Sequence, residues 1–175
     1  MAEPIENKVT RSLKAAEELY HRLVLIVGKG GSGKTSVVQN LAKLHDAEPI
    51  NINLRLSKEL LELTEKQRQL KLAEILTQAV NGNGDKVFLD NIEILFDVEL
   101  KQDPLRLLQG LSRNLTVVAS WNGTFEKGKL TYAEPGHREY RRYDLTDTLV
   151  VCMSGEATVD FKDTSCRINS GDKLI

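Results

Sequence analysis

Lys34 and Thr35 close the run Gly28-Lys29-Gly30-Gly31-Ser32-Gly33-Lys34-Thr35, which fits the pattern G-x-x-x-x-G-K-[ST]. Residues of these types at this spacing do phosphate chemistry. The glycines let successive backbone N–H groups turn inward around a β-phosphate, a helix start adds partial positive charge, and the lysine bridges the β- and γ-phosphates. Thr35 offers its hydroxyl to Mg²⁺. The expected nucleotide-binding set is Gly28, Lys29, Gly30, Gly31, Ser32, Gly33, Lys34, Thr35 and Ser36, with ATP or ADP as the ligand.

A second element is Val87-Phe88-Leu89-Asp90, an apolar run ending in a carboxylate, which looks like a Walker B strand. Asp90 at such a strand end can fix Mg²⁺ directly or through water, so Thr35 and Asp90 are the expected metal ligands. Hydrolysis also needs a base or a group that positions the attacking water. Many P-loop ATPases carry Glu directly after this Asp, where the chain has Asn91; an amide can orient a water but cannot take its proton. Glu93 could serve if the backbone turns helical after Asn91; the alternative is a solvated residue in a first helical turn. A third run, Thr116-Val117-Val118-Ala119-Ser120-Trp121-Asn122, ends in an amide that could sense the γ-phosphate or its water. The catalytic candidates are therefore Lys34, Asp90, Asn91, Glu93 and Asn122. Trp121 either contacts a base or partner or simply packs.

These groups need a scaffold that brings strand ends together. Leu23-Val24-Leu25-Ile26-Val27 reads as a buried strand, and Val37, Val38, Leu41 and Leu44 have the spacing of one helical face. Before them, Val9, Leu13, Ala16 and Tyr20 predict an amphipathic helix over about 7–21, packed at the sheet edge. Pro49 to Leu54 alternates like a short strand, and Ser57 opens a helical turn or two. Thr64-Glu65-Lys66-Gln67 is a capping box for a helix with Leu72, Ile75, Leu76 and Ala79 on its inner face, stopped by Asn81-Gly82-Asn83-Gly84-Asp85. Asp103-Pro104 starts a helix to about Leu111, and Leu115 to Ser120 is a further strand.

Alternating strands and helices predict an α/β fold of the P-loop NTPase kind. The expected form is a three-layer αβα sandwich with a mostly parallel sheet, ligand at the strands' carboxyl ends, a short β-rich C-terminal tail and no helical lid. Leu130 to Tyr143 is polar and broken by Pro135-Gly136, while Thr148 to Met153 and Ala157 to Phe161 read as two strands joined by Ser154-Gly155-Glu156. One domain over 1–175 is expected, with an N-terminal helix in 1–22, a nucleotide-binding core in 23–124, and a final strand and β-hairpin in 125–175.

Composition adds boundaries. A net charge of −1 over 175 residues gives no bulk attraction to nucleic acid, leaving only a local basic patch open. Cys152 and Cys166 are far apart, lack metal-site spacing and are not expected to pair; with no leader or long apolar run, a reducing cytoplasm and no membrane are expected. Arg113, Arg138, Arg141 and Arg142 could act in trans on a neighbour's nucleotide, contact nucleic acid or protein, or be plain surface residues.

The run Phe88-Leu89-Asp90-Asn91-Ile92-Glu93-Ile94-Leu95-Phe96 resembles the small P-loop protein of BREX bacteriophage-defence systems. So do Asp103-Pro104-Leu105-Arg106-Leu107-Leu108, Ser112-Arg113-Asn114 and Ser120-Trp121-Asn122-Gly123, and broader features resemble the AAA+ ATPases. The likeness covers roughly residues 8 to 145. It implies a bacterial cytoplasmic ATPase, as a homo-oligomer or in complex with other defence proteins, among them an adenine-specific DNA methyltransferase. The missing adjacent Glu and the short tail depart from the AAA+ pattern and bear on hydrolysis and on a hexameric ring. Three functions compete: an ATPase switch, a non-hydrolysing nucleotide-binding scaffold, and a small-molecule kinase.

Overall fold

In the computed structural model, residues 4–145, 148–153 and 159–160 are described, the last pair as backbone. Expectations that concern Ser154-Gly155-Glu156, Phe161 and Cys166 lie outside the described residues.

The central strand is β1 (Leu23–Gly28), every residue of which before Gly28 is buried. It pairs in parallel with β4 (Thr116–Glu126) on one side and β7 (Leu149–Cys152) on the other. Outward from β4 come β3 (Lys86–Asp90) and the two-residue β2 (Ile50–Asn51), both parallel. The short strand β8 (Val159–Asp160) closes the far side antiparallel to β7. The sheet order is thus β2-β3-β4-β1-β7-β8, a mostly parallel P-loop NTPase sheet with helices on both faces.

Alternation along β1 divides the core. Val24 and Ile26 face α1 (Ile5–Ala16) and α2 (Lys34–Leu44), joining Val9, Leu13, Val37, Val38 and Leu41 in one cluster. Leu23, Leu25 and Val27 face the other way, toward α3 (Ile52–Leu61), α4 (Glu65–Val80) and α5 (Pro104–Leu111). Helix α1 lies on a sheet face, in contact with β1, β7, α2 and the edge strand β8. It also stops at Ala16, so Tyr20 falls beyond it and is 63% exposed; Leu44, at the last position of α2, is 67% exposed.

The capping box at Thr64 forms as read, and Asp103 caps α5 by accepting from the N–H groups of Leu105 and Arg106. Two stretches differ from expectation. The strand at Ile50 lasts only two residues because the Asn51 side chain accepts from the Leu54 N–H, turning the chain into α3 at Ile52 instead of Ser57. Beyond Asn122, β4 runs on to Glu126, turns at Lys127-Gly128 and returns as β5 (Lys129–Tyr132), followed by β6 (Arg141–Asp144). This antiparallel wing occupies the region read as polar and broken. The Pro135-Gly136 interruption is the loop between β5 and β6, and Lys127 and Gly128 take the positive φ of the hairpin turn.

Trp121 is wholly buried at the root of the wing and donates from Nε1 to the Thr131 carbonyl at 2.8 Å. Its ring meets Phe96 and Tyr143 edge-on, and Phe96 stacks on Tyr132 with 3.4 Å between centroids. Such aromatic pairs add about 0.5–1.5 kcal/mol each beyond burial. Trp121 is thus a packing residue.

Candidate nucleotide site

The carboxyl ends of four neighbouring strands come level on one edge of the sheet. Gly28 of β1 sits opposite Asn122 of β4, and Asn51 of β2 opposite Asp90 of β3. Above this edge is a cleft of about 430 Å³ lined by Gly30, Gly31, Gly33, Lys34, Thr35, Ser36, Asp90, Asn91, Glu93, Ser120 and Asn122. Gly28, Lys29 and Ser32 line an adjoining cavity of about 350 Å³ instead. A Cβ on Gly28 would stand 2.5 Å from Ser32 Oγ and 2.8 Å from Met153 Cβ, so the strand can enter the loop only as glycine.

The loop passes into α2 through Gly33, whose φ of 97° is open to glycine at little cost. Lys34 then lies buried at the helix start, and its Nζ donates to the Lys29 carbonyl at 2.7 Å and to Ser32 Oγ at 3.4 Å. Burial lowers the pKa of this ammonium below lysine's ordinary value, while the negative charges of Glu93 and Asp90 oppose the shift.

Asp90 is almost fully buried, and Ser120 Oγ donates to its Oδ1 at 2.7 Å. Its Oδ2 has no protein donor among the described residues. The Thr35 hydroxyl and this carboxylate line one cleft, a pair of hard oxygens that suits Mg²⁺ completed by nucleotide and water oxygens. No cluster of three or more His, Cys, Asp or Glu able to hold a metal occurs among the described residues.

After Asp90 the chain reverses. Asn91 takes a φ of 51°, a left-handed conformation that Asn tolerates better than most residues, and a 3-10 helix, Glu93–Phe96, follows at once. The bend returns Glu93 to the cleft that Asp90 lines. Asn91 itself is tied to α3: its Oδ1 accepts from Asn51 Nδ2 at 3.1 Å and its carbonyl from the Asn53 N–H at 2.8 Å.

Glu93 is held at both oxygens. Asn53 Nδ2 donates to Oε1 at 3.0 Å, and Asn122 Nδ2 donates to Oε2 at 2.5 Å. All five catalytic candidates from the sequence, Lys34, Asp90, Asn91, Glu93 and Asn122, therefore share this cleft. Sequence reasoning missed Ser120 and Asn53. Ser120 was read only as strand interior, and Asn53 only as the polar half of an alternating strand. Tyr132 stands behind the site; burial first, then the charges of Glu93 and Glu139, raises the pKa of its hydroxyl, which keeps its proton.

The arginines separate. Arg113 is exposed at the opposite end of the sheet, where the strands begin, with its guanidinium 5.2 Å above the Tyr20 ring and its carbonyl accepting from Arg22. Arg138 is exposed on the β5–β6 loop, and Arg141 and Arg142 lie on β6. None of the four lines the P-loop cleft.

Among the described residues no helix is long and apolar enough to cross a membrane. No curated protein matches the chain. Among solved structures, it is similar to PCH-2 of C. elegans, at 20% identity and a TM-score of 0.38 over 70% of this chain and 37% of that one. It is also similar to AMPPCP-bound DnaA from Aquifex aeolicus, at 16% identity and a TM-score of 0.31 over 69% of this chain and 39% of that one. The chain thus spans under two fifths of the length of either structure. The model of the family described as "ATPase family associated with various cellular activities (AAA)" matches residues 24–121, more than half of the chain. With a P-loop and two facing carboxylates in that span, the chain belongs to the AAA family of ATPases.

Proposed function

We propose that this chain is a Mg²⁺-dependent ATPase that works as a nucleotide-dependent switch within a bacterial phage-defence complex of the BREX kind. The observation that carries the ATPase reading is Glu93, held by two amides across the cleft from Lys34 and Asp90. In this reading the loop N–H groups from Gly30 to Ser36 hold the phosphates and Lys34 offsets their charge. Thr35 and Asp90 would hold Mg²⁺, which would supply positive charge against the phosphates. Asn122 orients a water, Glu93 takes its proton as the water oxygen bonds to the γ-phosphorus, and ADP leaves with the electrons of the broken P–O bond. Asn91, with its amide oxygen engaged by Asn51, acts through the bend it makes.

The defence role is supported by the runs at Phe88–Phe96 and Ser120–Gly123, which resemble the BREX protein. A homo-oligomer or a complex with other defence proteins, the DNA methyltransferase among them, follows from that resemblance, as does a cytoplasmic site of action. One observation favours the scaffold reading: both carboxylate oxygens of Glu93 accept amide hydrogen bonds from Asn53 and Asn122, an arrangement that a purely structural carboxylate would also show.

The deciding experiment is steady-state phosphate release from ATP with Mg²⁺ over a wide range of protein concentration, beside Lys34→Ala. Turnover that rises with concentration and vanishes in the variant supports an ATPase completed by subunit contacts. ATP binding with no turnover at any concentration, alone or with the methyltransferase, leaves the scaffold.

A further inference from the structure

Where β6 docks on the loop leading into α5 there is a second polar cleft, of about 380 Å³, which shares no residue with the P-loop cleft. Lys101, Arg141 and Arg142 line it, together with Val98, Gln102, Asp103 and Tyr143. Arg141 Nη2 makes only a long bond, 3.4 Å, to the Gln102 carbonyl, and its Nε–H is buried with no acceptor among the described residues. Lys101 is exposed on a left-handed residue, φ 53°, and no carboxylate pairs with it among the described residues.

The one acid in the cleft is already engaged. Asp103 Oδ1 accepts from the Leu105 and Arg106 N–H groups and, at 3.0 Å, from the Tyr143 hydroxyl, while Oδ2 faces Arg106 Nε. Tyr143 and Arg141 share a strand face, while Arg142 alternates to the face of Asp144 yet also lines the rim of the cleft. On the Asp144 face the Lys129 ammonium first, and Arg142 less, hold the Asp144 carboxyl below the usual range.

Buried donors almost always have partners, and one left without costs about 1–3 kcal/mol. Three cations, Lys101, Arg141 and Arg142, line a cleft whose single acid is engaged, and Arg141 keeps an N–H without a protein acceptor among the described residues, which suits a compact anion. The wing as a whole does not suit a long polyanion, because Lys127, Lys129, Arg138, Arg141 and Arg142 are nearly balanced by Glu126, Glu134, Glu139 and Asp144. We propose that Arg141 and Lys101 form a second anion site that takes one phosphate group, apart from the P-loop. Its source is either free phosphate or the phosphate of a small nucleotide. The planar guanidinium supplies paired donors and the ammonium a point charge.

The test uses the full chain carrying Lys34→Ala, which removes the principal cation of the P-loop, titrated by calorimetry with inorganic phosphate and separately with ADP. Binding should persist, weaken about tenfold on adding Arg141→Ala, and weaken severalfold on adding Lys101→Ala. The exposed Lys101 can be replaced without disturbing the fold, so its variant keeps the test valid should Arg141→Ala unfold. A preference for inorganic phosphate identifies the free ion as the source, and a preference for ADP identifies a nucleotide. No binding to the Lys34→Ala chain, binding indifferent to both added substitutions, or binding of DNA oligonucleotides without any response to phosphate would overturn the proposal.

Discussion

The side-chain amide of Asn53 donates to Glu93 Oε1 at 3.0 Å and accepts from the Ile94 N–H at 2.7 Å. One residue of α3 thus fixes both the candidate general base and the backbone that carries it. Asn122, from the neighbouring strand end, completes the grip.

Glu93→Gln should slow phosphate release by about a hundredfold or more, the usual contribution of a general base, while ATP affinity changes little. An amide keeps the shape and one acceptor but cannot take a proton. A variant with unaltered turnover would move the role to a group outside this chain.

Asn53→Ala removes two hydrogen bonds and leaves a half-buried carboxylate short of a donor. Stability in urea should fall by about 1–3 kcal/mol, and turnover should change while Asn53→Gln, which keeps the amide, restores part of it. Equal loss of turnover in the Gln and Ala variants would argue against a positioning role.

Lys34→Met should abolish ATP binding at the P-loop and yet raise the melting temperature of the ligand-free chain. A lysine whose folded pKa is depressed binds its proton less well folded than unfolded, so its charge destabilises the fold below the folded pKa. The wild type recovers that loss as pH rises toward 10.5, and the advantage of the variant should shrink over the same interval. A melting-temperature difference that is flat in pH would show that the buried charge is not the cause.

Gly123→Ala should be among the most damaging small changes. A Cβ there would stand 1.8 Å from the Thr131 carbonyl oxygen across the β4–β5 pair, a backbone atom that cannot step aside. Loss of about 1–3 kcal/mol is expected, with weakened turnover because Asn122 is the adjoining residue. Thermal unfolding at wild-type temperature would sink this account of the wing's root.

The parts of the fold that carried a local signal were legible. Gly28 to Thr35 announces its loop because only glycines pass where Gly28 and Gly33 do, and the caps at Thr64 and Asp103 are side-chain bonds within one turn. The extension of β4 past Asn122 was not legible, since its edge partners are polar and Pro135-Gly136 looks like a break although it is only the next loop. Asn53 was hidden for a related reason. Its alternation with Ile52 and Leu54 mimics a strand, and only the cap that Asn51 makes with Leu54 reveals a helix. The cleft candidates at Asp90, Glu93 and Asn122 came from chemical type, but their meeting depends on the left-handed bend at Asn91, which no periodicity encodes.

The position of β7 bears on how the chain folds during synthesis. Both edges of β1 are hydrogen-bonded, one by β4 and the other by β7, which is made more than a hundred residues after β1. Until Leu149–Cys152 leaves the ribosome, Val24 to Val27 presents an apolar edge with no partner, the kind of surface on which nascent chains aggregate. The central strand that carries the phosphate loop is thus made before both strands that flank it and completed only when the later of them emerges.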